Sequence, residues 1–187
     1  MWALGGLEPW SGMHSHGIVV RRPRRPAVLS TQLTRLHLGF FRSSLAGQAN
    51  AILVDSTLAS ESLGGVQVSD PGRERRVAHA VRVEGVGVVA NLHATNAVST
   101  PSVPAAELER ARQFLDSLAE PGEPRILAGD LNHHEPALPG YENGGRGIDH
   151  VLVAGATAGP LIVWEHERRV HNGQVLSDHA PVERVVG

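Results

Sequence analysis

The clearest alternation along the chain lies in its middle. Val77, His79, Val81 and Val83 alternate with Ala78, Ala80 and Arg82, which is the two-residue period of a strand. Glu84-Gly85 marks a turn, and Val86 to Leu92 reads as a second strand that closes a hairpin with the first. Upstream, Ala51-Ile52-Leu53-Val54 is an apolar run of strand length. Gly64-Gly65 and Asp70-Pro71-Gly72 read as turns. The period then changes. Leu108, Ala111, Leu115 and Leu118 fall at offsets of three, seven and ten, one apolar stripe of a helix from Pro104 to Ala119. Proline is tolerated in a first turn, and Pro121-Gly122 closes the far end. Strands are expected at Arg125 to Ala128, Ile148 to Val153, Leu161 to Trp164 and Val182 to Val186. Strands, one helix, then more strands predict an α/β (α+β) fold with mixed sheets.

Residues 1–35 depart from this pattern. Arg21-Arg22-Pro23-Arg24-Arg25-Pro26 cannot be a helix interior, because each proline removes a donor and restricts its predecessor. The segment reads as an irregular, solvated arm; a contact to nucleic acid or a membrane surface is its sharper reading. Residues 36–187 read as one domain, with no linker dividing them.

Composition narrows the function classes. Aromatic residues are 4% of the chain, so Val, Leu, Ile and Ala must build the core. There is no cysteine, which excludes disulfides and thiolate metal sites. The net charge of −2 argues against a broad electrostatic grip on nucleic acid. No apolar run approaches the ~20 residues of a membrane span, and no signal peptide is visible. A cytoplasmic protein with no obligate protein partner is the expectation.

Four polar signatures sit where strands begin or end: Asn91-Leu92-His93-Ala94-Thr95, Gly129-Asp130-Leu131-Asn132, Gly147-Ile148-Asp149-His150 and Ser177-Asp178-His179-Ala180-Pro181. Asp130 and Asn132 are two apart, so on extended chain they share a face. A carboxylate beside an amide suits binding an activated water and a phosphate oxygen together. Asp178-His179 sets an anion beside an imidazole. Adjacent strand residues point apart, so Asp149 is an alternative partner for His179. Each signature alone is weak, since Asp and Asn also cap turns.

Together and in this order, the four signatures resemble the endonuclease/exonuclease/phosphatase superfamily of metal-dependent phosphoesterases, DNase I-like nucleases among them. Gln48-Ala49-Asn50-Ala51-Ile52-Leu53 resembles the family's Gly-Asn-Ala-Ile-Leu strand. Arg110 and Gln113 match the helix before the Gly-Asp-x-Asn strand. The resemblance spans residues 36–187. It implies two packed mixed β-sheets flanked by helices, a DNase I-like four-layer sandwich with the site at one end. It implies His179 as general base or phosphate stabiliser, Asp149 as the carboxylate orienting it, and Asp130 as the group that activates water or protonates the leaving group. It implies Asn132 as the phosphate-holding amide, His93 as a second histidine, Asn50 as a substrate contact and Asp178 at a Mg²⁺ (or Mn²⁺) site. Arg146, in Gly144-Gly145-Arg146-Gly147, reads either as a phosphate contact or as part of a flexible turn.

The family's first strand carries an asparagine, and a later strand ends in Gln-Glu, the principal magnesium ligand. Here one alignment puts His14 at the asparagine and Leu33 at the glutamate; another makes Gln32 to Gly39 the end of a helix. Glu8 is the only acid in the first 50 residues. His14 and His16 read as incidental rather than as a Zn²⁺ pair. The front of the site is therefore expected to be missing or degenerate. The expected function is hydrolysis of phosphodiester or phosphomonoester bonds. The alternative is an impaired member that binds phosphorylated ligands. Only 16 residues separate Asn132 from Asp149, so an open site is expected, with nucleic acid, a nucleotide or a small phosphodiester as substrate.

Overall fold

The computed structural model describes residues 2–4, 15–20, 35–43 and 46–187, with side chains from Asn50 onward. Its elements are β1 (Trp2–Leu4), β2 (Ser15–Val20), β3 (Arg35–Ser43), β4 (Ala46–Val54), β5 (Ser60–Gln67), β6 (Val77–Val83), β7 (Gly87–Asn91), α1 (Ser102–Leu118) and β8 (Arg125–Asp130). There follow β9 (Glu142–Arg146), β10 (Asp149–Ala154), β11 (Ala158–Val163), a 3₁₀ turn (His166–Arg169), β12 (Val170–His171), β13 (Gln174–Val175) and β14 (Val182–Val186). One six-stranded sheet runs β11-β14-β1-β2-β4-β3, and the other β5-β6-β7-β8-β10-β9. Both are mixed: β2–β4 and β7–β8 pair parallel, and every other neighbouring pair is antiparallel.

Strand alternation sorts the core into two layers. Ile126 and Ala128, Val81 and Val83, Val151 and Val153 point between the sheets, where they meet Ile52, Val54 and Val182. The intervening Leu127, Ala78, Ala80 and Leu152 point the other way, onto Leu108, Ala111 and Leu115 of α1. The strand at 77–83 is therefore buried on both faces, not half-buried as simple alternation implies. α1 starts two residues before Pro104, since a first-turn proline has no N–H to satisfy. It closes where the N–H of Ala119, in extended conformation, donates to the Leu115 carbonyl.

Several expectations need correction. Trp2–Leu4 and Ser15–Val20, expected within an irregular arm, pair into the first sheet. Arg35–Ser43 is a strand, so the alignment that makes Gln32 to Gly39 a helix end does not hold over its described part. The Arg21 to Pro26 run, Glu8, His14, Gln32 and Leu33 lie outside the described residues. Gly64-Gly65 is not a turn. It lies inside β5 at a register shift between Ser62 and Gly64, and Gly64 adopts φ 84° there.

Gly144-Gly145 is likewise strand, because two neighbours fill the space that side chains would take. A Cβ at Gly145 would stand 2.1 Å from His150 Nδ1, and one at Gly144 2.7 Å from the Arg184 guanidinium. Buried Arg184 donates to the carbonyls of Gly159 (3.0 Å), Glu142 (3.3 Å) and Val151 (3.3 Å) and pairs with the Glu142 carboxylate, lacing β9, β10 and β11 together. Among the described residues no helix is long and apolar enough to cross a membrane.

Candidate active site

The row that fills the inter-sheet layer continues past the core to the rim, where it turns polar. Asp130 ends β8 and Asp149 begins β10; they are direct register partners, and Asp149 pairs on its other side with Arg146. Directly opposed residues share a face, so two carboxylates stand side by side with an arginine position next in line. Like charges in that arrangement destabilise a sheet, so the pair is kept at a cost in stability.

Gly129 makes the next addition. Its φ of 141° and missing Cβ let the Leu92 carbonyl approach to 2.1 Å from where that Cβ would be. Past Asn91 the chain follows β8 outward, with Leu92 N–H donating to Ala128 O (3.1 Å) and Ala94 N–H to Asp130 O (2.9 Å). This sets His93 Nε2 3.7 Å from Asp130 Oδ2. Buried Glu107, on α1, accepts from both the N–H and the hydroxyl of Thr95 at 2.7 Å and so fixes the following residues.

His179 arrives from the other side of the rim. Arg169 Nη1 donates to Ser177 O (3.2 Å), and His179 N–H donates to Ser177 Oγ (3.2 Å). His179 Nδ1 then lies 2.9 Å from Asp149 Oδ2 and 3.9 Å from Asp130 Oδ2. Asn132, in left-handed conformation (φ 47°), donates its N–H to Asp130 Oδ1 (3.0 Å) and its side-chain amide to Ala94 O (2.8 Å). The structure thus gathers His179, Asp149, Asp130, Asn132 and His93.

The other three expected site residues stand apart from this group. Arg146 is exposed on the same rim. Asp178 is exposed and outside the cluster of ligand atoms formed by Asp130, Asp149 and His179, all within 4.8 Å of one another. Asn50 is 1% exposed, and its amide donates to Val77 O (2.6 Å) and Asn91 O (3.4 Å). Asn91 answers with a bond to Ala51 O (3.0 Å), so the two amides tie the sheets together behind the site. Beside Asn132 opens a cleft of about 500 Å³ lined by Asn96, Val98, His133, His134 and Ile148 among others.

Burial and the adjacent Asp149 charge push the Asp130 carboxyl up to about 6, against the pull of the Asn132 N–H, His179 and Arg76. Burial also raises Asp149, more than His179 lowers it. Burial pulls His179 down, but Asp149, by charge and hydrogen bond, with Asp130 and Asp178, outweighs it and holds the imidazole above its ordinary value.

The Asp130 shift has a stability consequence. The folded state keeps this proton to a higher pH than the unfolded chain, so stability falls as pH rises from about 4 to about 6. Asp130→Asn is expected to stabilise the metal-free protein by on the order of 2–3 kcal/mol at neutral pH, and by little below about pH 4. Urea unfolding of both proteins at the two pH values checks this; a gain that is the same at both would refute it.

Sequence reasoning missed Arg76 and Glu107. Glu107 left a trace: it lies four and eight residues before Ala111 and Leu115, a carboxylate on the apolar stripe. Arg76, in the charged run before Val77, left none, because its contact to His93 is tertiary.

No family model and no curated protein matches the sequence. Solved structures do match the fold. TDP2 from Caenorhabditis elegans superposes with a TM-score of 0.60 at 14% identity, over 81% of this chain and 57% of that one. A humanized D. rerio TDP2 gives 0.60 at 12% identity, over 82% and 76%. ANGEL2, a 2′,3′-cyclic phosphatase, gives 0.54 at 10% identity, over 79% and 72%. The chain thus spans 57% of the length of the C. elegans protein. Its fold is of the endonuclease/exonuclease/phosphatase type.

Proposed function

We propose that the chain is a divalent-metal-dependent hydrolase of phosphodiester or phosphomonoester bonds, nuclease-like in its chemistry. The observation that carries this reading is the convergence of two buried, opposed carboxylates with an ion-paired histidine at one end of the sandwich. The carboxylate oxygens of Asp130 and Asp149, within 4.8 Å of each other and with no sulfur beside them, fit a hard cation such as Mg²⁺ or Mn²⁺, whose charge would relieve the repulsion between them. Asp178, outside this cluster, adds negative charge that Asp149 and His179 feel. Such an ion supplies positive charge at the non-bridging oxygens of a phosphate ester.

The protein's own groups divide the remaining work. Asp149 holds His179 through Nδ1, leaving Nε2 to meet the ester. Asp130 would activate the attacking water or protonate the leaving oxygen from the same rim. Asn132 orients a phosphate oxygen, Arg146 adds charge at the rim, and the cleft beside Asn132 takes the organic part of the ester. Nucleic acid, a nucleotide and a small phosphodiester all suit an open site of this kind. The test is hydrolysis of bis(p-nitrophenyl) phosphate and p-nitrophenyl phosphate with Mg²⁺ or Mn²⁺, against the His179→Ala variant. No metal-dependent release above that variant, on either ester, would sink the reading.

One observation favours a second reading, in which phosphorylated ligands bind and hydrolysis is slow: Glu8 is the only acid in the first 50 residues. Mg²⁺ dehydrates reluctantly and is usually held by one or two carboxylates together with substrate phosphate. The free protein is therefore expected to bind Mg²⁺ only in the millimolar range, roughly −4 kcal/mol. High Mn²⁺ is expected to raise turnover above that with Mg²⁺. Calorimetric titration decides between the readings: micromolar Mg²⁺ affinity with brisk turnover would overturn the second.

A further inference from the structure

Arg76 precedes β6 by one residue and is 5% exposed. Its backbone is pinned on both sides, its N–H donating to Ser69 Oγ (3.0 Å) and its carbonyl accepting from Val68 N–H (2.9 Å). The guanidinium divides its donors. Nη2 pairs with Glu74 Oε2 at 2.8 Å, and Nη1 stands 3.2 Å from His93 Nδ1. A guanidinium has five N–H donors and no acceptor, and it stays charged at any working pH. The nitrogen facing it must therefore accept, which requires an imidazole with no proton on Nδ1. The ring's single proton is then on Nε2, the atom 3.7 Å from Asp130 Oδ2.

We propose that Arg76 is a positioning residue that locks His93 as the neutral Nε2–H tautomer, so that His93 presents a fixed N–H donor to the Asp130 side of the site. Nδ1 is thereby kept as the acceptor and Nε2 as the donor toward anionic oxygen. The two site histidines are thereby given opposite tasks by their neighbours. His179 faces carboxylates through Nδ1 and is stabilised with a proton there; His93 faces an arginine through Nδ1 and is denied one. The effect on rate rests on the phosphoesterase reading, but the tautomer itself does not.

Long-range ¹H–¹⁵N spectra of the full chain, metal-free and at one neutral pH, read the tautomer directly, with His93 assigned by His93→Gln. The wild type is expected to show Nε2 protonated and Nδ1 bare. Arg76→Met is expected to give a mixture of tautomers, and Arg76→Lys, also a pure donor, to restore part of the wild-type pattern. A proton on Nδ1 in the wild type overturns the proposal, as does an unchanged pattern in folded Arg76→Met. If Arg76→Met does not fold, the wild type and Arg76→Lys still decide. On bis(p-nitrophenyl) phosphate, Arg76→Met is expected to lower kcat roughly tenfold with KM little moved, as for a group acting in the transition state. A wild type without hydrolysis would count against the phosphoesterase reading and leave the spectra to judge the tautomer.

Discussion

His179→Ala, Asp149→Asn and Asp130→Asn are each expected to lower metal-dependent turnover of a phosphodiester by at least ~10² while leaving the protein folded. The three side chains form one unit. His179 Nδ1 lies 2.9 Å from Asp149 and 3.9 Å from Asp130, and the two carboxylates are register partners. Each adjusts the protonation of the others, so removing one disables the set. The double variant His179→Ala/Asp149→Asn should therefore lose little more than the worse single one. Steady-state kcat at saturating Mn²⁺, with thermal melts to confirm folding, measures this. Independent, multiplicative losses would mean that the three do not share a transition state, and full activity in any one would remove it from the site. Asp130→Asn carries a further signature: the same change that removes activity is expected to stabilise the fold at neutral pH.

Gly129→Ala is expected to cost on the order of 3–5 kcal/mol. The added methyl would stand 2.1 Å from Leu92 O and 3.0 Å from Asn91 Oδ1. Neither neighbour is free to yield. Leu92 is held to Ala128 by its own N–H, and Asn91 ties the second sheet to Ala51 in the first. The φ of 141° adds a penalty of its own for an L-residue. Gly122→Ala is the control. Gly122 also has a positive φ, of 81°, but no atom lies within 4 Å of its absent Cβ, so only about 1–2 kcal/mol of backbone cost is expected. Chemical denaturation of the two variants separates packing from backbone preference. Losses within about 1 kcal/mol of each other would show that the approach of Leu92 contributes nothing.

The elements with plain periods were legible in the sequence: the hairpin at 77–92, the helix stripe from Leu108 to Leu118 and the last strand at Val182–Val186. The meeting of His93, Asp130, Asn132, Asp149 and His179 at one rim was legible too, because each stands at or just beyond the end of an apolar run. What escaped notice did so for physical reasons. Glycine reads as a turn wherever it stands, yet Gly144 and Gly145 are strand residues whose missing side chains leave room for Arg184 and His150, partners 40 and five positions away. Asn50 lay in a matching motif, but a motif does not tell whether an amide points at solvent or across a sheet interface. The partner of His179 did not escape: adjacent residues diverge, which left Asp149 rather than Asp178 open as the carboxylate that reaches the imidazole. Arg76 and Glu107 act through neighbours brought close only by folding.

The row made by Asp130, Asp149 and Arg146 on three adjacent strands also ties the chemistry to the core. A strand changes sides at every residue. Sliding β10 by one position along β8 would turn Asp149 toward the helix layer and break up the carboxylate pair. It would also turn Val151 and Val153 out of the inter-sheet core, where both are now fully buried. Two valines remote from any substrate thus serve as the gauge that holds the acids opposite each other. A one-residue slip of β10 therefore cannot misplace the carboxylates without also breaking the hydrophobic layer.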